Sequence, residues 1–153
     1  MTKILLSLHV LAAILAVGPV TVAASMFPAT LRRTTDDPDH ARTTLKMLHR
    51  ICRVYAGIGI AVPVFGFATA SSLGVLGDAW LITSIMLTAA AAGVLILLIL
   101  PGQDRALADT ASTAEPPAPA TASRLAMATG IFNLLWVTVT VLMIVRPGST
   151  TGA

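Results

Sequence analysis

Few residues in this chain carry chemistry, and most of those lie inside long apolar runs. His9 is the foremost. It stands within an uncharged stretch from Ile4 to Leu31, with Ser7 and Thr21 on the same run. An ionisable side chain inside a membrane segment is rare and usually faces a protein interior or a wet cavity. Such a histidine can ligate haem or a metal, hydrogen-bond a quinone, or relay protons. The simpler reading is a hydrogen bond to a neighbouring helix. His49 is a second candidate, but it belongs near the opposite end of the next helix. At about 1.5 Å of rise per residue the two rings are expected roughly 20 Å or more apart in depth, which argues against a haem held between them.

His49 lies beside a basic stripe. Arg42, Lys46, Arg50 and Arg53 recur at helical spacing, and Leu45, Leu48, Cys52 and Tyr55 form the adjoining apolar face. The pattern predicts a basic amphipathic lead-in to a membrane helix, with Arg42, Lys46, His49, Arg50 and Arg53 as a surface for anionic headgroups or a partner. Cys52 is the single cysteine, so an internal disulfide is excluded and no CxxC pair exists. Asn133 is the other polar group deep in an apolar run, and an interhelical hydrogen bond is expected of it. No Asp or Glu falls within any apolar run, whereas ion-coupled transporters normally carry an intramembrane carboxylate. No metalloprotease, nucleophile-elbow or phosphate-loop motif occurs, and no catalytic residue is assigned.

The elements that position these groups follow from composition. The chain has 153 residues, 56% of them hydrophobic and 11% charged. A soluble domain carries about a quarter charged residues, so lipid is the expected solvent for most of this surface. Four uncharged stretches are long enough to span a bilayer core, at residues 4–27, 54–76, 79–100 and 125–145, since about 20 helical residues suffice. The expected fold is all-α: a single domain forming a four-helix transmembrane bundle, with helix two extended into the cytoplasm. Asp37-Pro38 reads as an N-cap and first helical residue, so the second helix should begin near Pro38 and enter the membrane near Val54. Pro101 and Pro147 read as stops, Ser123 as the cap of the fourth helix, and residues 102–123, rich in Ala, Pro, Thr and Ser, as a flexible linker. Pro19 and Pro63 should kink the first two spans or open their hydrogen bonding. Small residues on the second span, Gly57 with Ala61 and Gly66 with Ala70, permit close helix packing.

Charge sets the orientation. Six bases flank the first loop (Arg32, Arg33, Arg42, Lys46, Arg50 and Arg53), and Arg105 and Arg124 sit in the third, while the second has none. The positive-inside bias therefore predicts loops one and three in the cytoplasm and both termini outside. The net charge of +3 reflects this clustering and implies no nucleic-acid surface. Lys3, the apolar run, Gly18-Pro19 and Val22-Ala23-Ala24 also match a cleavable signal peptide. Arg32 and Arg33 immediately after it favour a retained span instead.

The opening run from Leu6 through His9 to Gly18, the arginine-rich first loop and the three further spans resemble small predicted integral membrane proteins of unknown function, of an actinobacterial type. The first helix is also similar to that of copper-resistance D-type membrane proteins. The first resemblance implies an architecture and no mechanism. The expected function is a non-enzymatic polytopic membrane protein that packs with, or assists assembly of, a larger membrane complex. Its partners would be the bilayer, anionic headgroups at the cytoplasmic face, and a membrane protein or a second copy. The alternatives are a cofactor-binding protein using His9 with haem, quinone or copper, and a small transporter or channel.

Overall fold

A computed structural model describes residues 2–34, 37–112 and 119–148. Among the described residues there are helices and turns and no strand. Helix α1 spans Thr2–Arg32 and runs without interruption through Pro19 and Pro28, so neither proline breaks it. Its buried residues Ala16, Val20, Ala23, Ala24, Phe27 and Leu31 recur three or four apart and form one stripe. That stripe begins only halfway along the helix.

Helix α2, Pro38–Ile58, starts as its sequence dictates: Pro38 occupies the first turn, and Oδ1 of Asp37 accepts from the His40 N–H at 3.2 Å. It does not continue as one helix to the far end. The chain turns at Gly59 and Ile60, and helix α3 resumes at Ala61–Leu73. The gap therefore opens one turn before Pro63. Pro63 has no N–H to give the Gly59 carbonyl four residues back, and that carbonyl accepts from Val62 at 3.1 Å in a tighter turn. Gly74, with φ of +69°, closes α3 in the left-handed conformation that glycine adopts most cheaply.

Helix α4, Ala79–Val94, passes into a π-helical turn, Leu95–Ile99, and then into helix α5, Leu100–Ser112. The stop expected at Pro101 is thus absent. A proline ring in a regular helix clashes with the carbonyl four residues earlier, and the wider π-turn just before Pro101 relieves that crowding. Helix α6 covers Pro119–Val145 and begins before Ser123. The segment read as a flexible linker is therefore helical at 102–112 and 119–123. Its alanines are good helix formers, and Ala106 and Ala122 find buried positions on neighbours. Residues 113–118 of that segment lie outside the described residues.

Four helical stretches are long and apolar enough to cross a membrane: Thr2–Arg32, Pro38–Leu73, Ala79–Ser112 and Pro119–Val145. α1 packs on α2, α3 and α6, α4 packs on α6, and α5 returns to touch α2. The main core joins Phe27, Leu45, Ile99 and Phe132, each at most 2% exposed. It lies in the half of the bundle where α1 ends and α2 begins, hereafter the basic end. A smaller cluster of Ala70, Trp80 and Leu81 closes the opposite end. Ile14, Leu97 and Ile144 stand 63%, 72% and 73% exposed, an outward apolar surface suited to hydrocarbon rather than water.

Candidate functional site

The most developed polar site lies between α2 and α5 at the basic end. His49 falls four residues after Leu45 and three before Cys52, so it shares their buried face and is only 7% exposed. Its Nδ1 is 3.0 Å from Oε1 of Gln103, which is fully buried. Its Nε2 is 3.0 Å from Oδ1 of Asp104. That second contact is within ion-pair distance but off the hydrogen-bonding direction. The Gln103 amide nitrogen donates to Sγ of Cys52 at 3.6 Å. Nη2 of Arg53 reaches both Asp104 oxygens at 3.3 and 3.4 Å.

This corrects the expected surface. Lys46, Arg50 and Arg53 are exposed and Arg42 is half-buried, but His49 turns inward, because the apolar face of α2 is centred on its column rather than beside it. Gln103 and Asp104 were hidden from the sequence reading by the assignment of their segment to a linker. An uncharged glutamine followed by an aspartate gave no periodic signal against that composition.

His9 is half-buried on α1, and its ring lies against α3. Nδ1 is 2.9 Å from the Val62 carbonyl, so that nitrogen carries the hydrogen and donates. The ring fits because residue 66 is glycine: a Cβ there would come within 2.9 Å of Cε1. Ala70 is buried beside Trp80 and Leu81. The packing expected of Gly57 with Ala61 does not form. Gly57 is exposed, and a Cβ on it would meet nothing within 4 Å. Gly59 and Ile60, both in helical conformation, make a tighter turn between the two residues. Among the described residues no group of three His, Cys, Asp or Glu side chains is placed to hold a metal ion.

A third feature is a cleft of about 260 Å³ between α1 and α6. Ser25 and Ala29 form one wall, Ala126 and Gly130 the other, and Arg32 stands at the basic end. Asn133 donates across it from Nδ2 to Oγ of Ser25 at 3.3 Å, the interhelical bond expected of it, and Thr129 donates to the Ala24 carbonyl at 3.4 Å. Oδ1 of Asn133 is buried with no hydrogen-bond partner. Both walls carry a small-xxx-small pair, Ser25 with Ala29 and Ala126 with Gly130, which allow another backbone to approach closely. The spacing was present in the sequence but was not singled out there.

The family described as "Predicted integral membrane protein (DUF2269)" matches residues 3–147. The chain belongs to this family. The match spans all four long apolar helices, and the protein is accordingly a membrane protein of the DUF2269 type, an all-helical bundle with four candidate spans. No curated protein and no solved structure matches it.

Proposed function

We propose that the chain is a non-enzymatic polytopic membrane protein that works by packing against a transmembrane helix of a partner membrane protein, with the α1–α6 cleft as its docking face. The observation that carries this reading is the cleft between α1 and α6, whose walls hold the small-xxx-small pairs Ser25 with Ala29 and Ala126 with Gly130. The small residues of both walls let the backbone of a partner helix come close, which a disordered acyl chain does not exploit. Arg32 at the basic end adds a preference for a carboxylate on the partner. The clustered bases at that end support an orientation with loops one and three in the cytoplasm, both termini outside, and anionic headgroups gathered around Lys46, Arg50 and Arg53.

A photo-crosslinking residue at position 126, introduced into the full chain in its native membrane, tests the docking face. The expected product is a covalent adduct to a transmembrane peptide of another membrane protein, reduced several-fold by Gly130→Leu, which fills the cleft. Adducts to lipid alone, or only to a second copy of this chain, would overturn the reading.

His9 supports a second reading. With Nδ1 committed to the Val62 carbonyl, a neutral ring keeps its lone pair on Nε2, the arrangement found where histidine ligates a metal or meets a quinone. Absorption and metal analysis of the purified chain decide it: a Soret band, copper or bound quinone lost in His9→Ala supports a cofactor, and a colourless, metal-free, quinone-free protein removes it.

A further inference from the structure

The two ring nitrogens of His49 stand in different surroundings. Nδ1 donates to Oε1 of Gln103 at 3.0 Å. The Gln103 amide nitrogen points the other way, to Sγ of Cys52 at 3.6 Å, which keeps the amide oxygen on His49. Gln103 is fully buried and His49 is 7% exposed, so packing holds the pair in this arrangement. A neutral ring that donates from Nδ1 keeps a lone pair on Nε2. Among the described residues that buried nitrogen has no hydrogen-bond partner. Oδ1 of Asp104 stands 3.0 Å from it, to one side of the lone-pair axis. Two acceptors this close repel one another unless a positive charge lies between them. A shared proton would want the oxygen on the axis. A shared metal ion wants it to one side. Two ligand atoms, each about 2.1 Å from one ion and at right angles around it, are about 3.0 Å apart. A ring fixed through its other N–H by an amide or carboxyl oxygen is also the usual state of a metal-ligating histidine.

We propose that Nε2 of His49 and the Asp104 carboxylate together bind a divalent first-row transition-metal ion at the basic end, with Gln103 as the residue that orients the histidine. The imidazole selects such an ion over magnesium or calcium, and the carboxylate supplies one negative charge. Two side chains leave the other coordination positions to water. The Asp104 side chain is 52% exposed, so ion and water arrive from that side. Arg53 opposes the ion. Its Nη2 reaches both oxygens of the same carboxylate, at 3.3 and 3.4 Å, and its side chain is 65% exposed, so it can turn into solvent when an ion takes its place. The site does not depend on the docking face.

Only three histidines occur in the chain, so nitrogen-15 NMR of labelled histidine reports on each. The untagged full-length protein in lipid nanodiscs is titrated with cobalt(II) chloride, whose unpaired electrons shift and broaden the signals of a ligating ring. The His49 signals are expected to respond at lower cobalt than those of His9 and the exposed His40. Asp104→Ala is expected to weaken binding at least tenfold, and Gln103→Leu by about 10–100-fold, the usual effect of losing the group that orients a ligand. Arg53→Gln removes the competing cation and is expected to tighten binding several-fold, whereas His40→Ala leaves it unchanged. His49 signals that do not respond to excess cobalt would overturn the site. So would an unchanged affinity in Asp104→Ala, a weaker one in Arg53→Gln, or a response confined to His40. The titration of the unaltered protein and the exchanges at the exposed Asp104 and Arg53 decide the matter even where Gln103→Leu does not fold.

Discussion

The imidazole of His9 occupies the space that a side chain on Gly66 would need. A Cβ at residue 66 would lie 2.9 Å from Cε1 and 3.1 Å from Nδ1 of a ring that is itself bonded to the Val62 carbonyl. The ring is rigid and cannot retreat without giving up that bond. Gly66→Ala is therefore expected to destabilise the protein by about 1–3 kcal/mol, the usual range for overpacking. Thermal unfolding in mild detergent measures this. The double variant with His9→Ala should cost less than the two single changes added together, because the clash is then gone.

Gly102 provides the contrast. A Cβ there would come 2.8 Å from Cδ2 of Leu125, but that atom is the end of a flexible side chain. Gly102→Ala should cost less than Gly66→Ala in the same measurement. Gly57→Ala and Gly93→Ala meet nothing within 4 Å and lie inside helices. They are expected to be neutral or to stabilise by up to about 1 kcal/mol through the lower backbone entropy of the unfolded chain.

Trp80 ties the third span to the fourth at the end of the bundle away from the α1–α2 connection. Its indole N–H donates to Oδ2 of Asp78 at 3.0 Å, and the guanidinium of Arg146 lies 5.6 Å from its ring centroid. Trp80→Phe keeps a ring but loses the bond to a carboxylate, for an expected loss of roughly 1–3 kcal/mol. Arg146→Gln removes the cation above the ring, for about 0.5–1 kcal/mol, together with the Nε bond to the Met143 carbonyl at 3.3 Å. Melting temperatures of the two variants should fall in that order.

Asn133→Leu separates folding from association. Among the described residues Asn133 bonds to Ser25, while its Oδ1 has no partner. Losing the first and relieving the second nearly cancel, so unfolding of the isolated protein is expected to change by no more than about 1 kcal/mol. Crosslinking from position 126 to a partner helix should nevertheless drop several-fold. A large loss of stability with crosslinking intact would place the role of Asn133 inside the fold instead.

The spans were legible because their signal is bulk composition over about 20 residues, which local detail does not disturb. The Asp37-Pro38 start was legible for a different reason, since cap chemistry is local and short-range. What escaped the sequence depended on where a helix departs from uniform periodicity. The turn at Gly59 and Ile60 parts Gly57 from Ala61, and the π-turn carries α4 on past Pro101. Both prolines flagged a disturbance without saying whether the chain would bend, stop or pass through. Gln103 and Asp104 could be placed only once α5 was known to exist. The burial of His49 is masked in the sequence by the basic stripe next to it, since one helical column separates the exposed side of α2 from its buried side.

The π-turn at Leu95–Ile99 has a consequence for registry. A π-turn amounts to one additional residue accommodated in an otherwise regular helix, and each α-helical residue turns the chain by about 100°. Everything beyond it is phased by that single position. Removing one residue from the turn would restore an ordinary helix and swing Gln103 and Ala106 away from the interior together, detaching α5 from α2 while leaving nearly every apolar residue of the third span in the chain. The inner architecture of the basic end is thus set by a count of residues as much as by their identity.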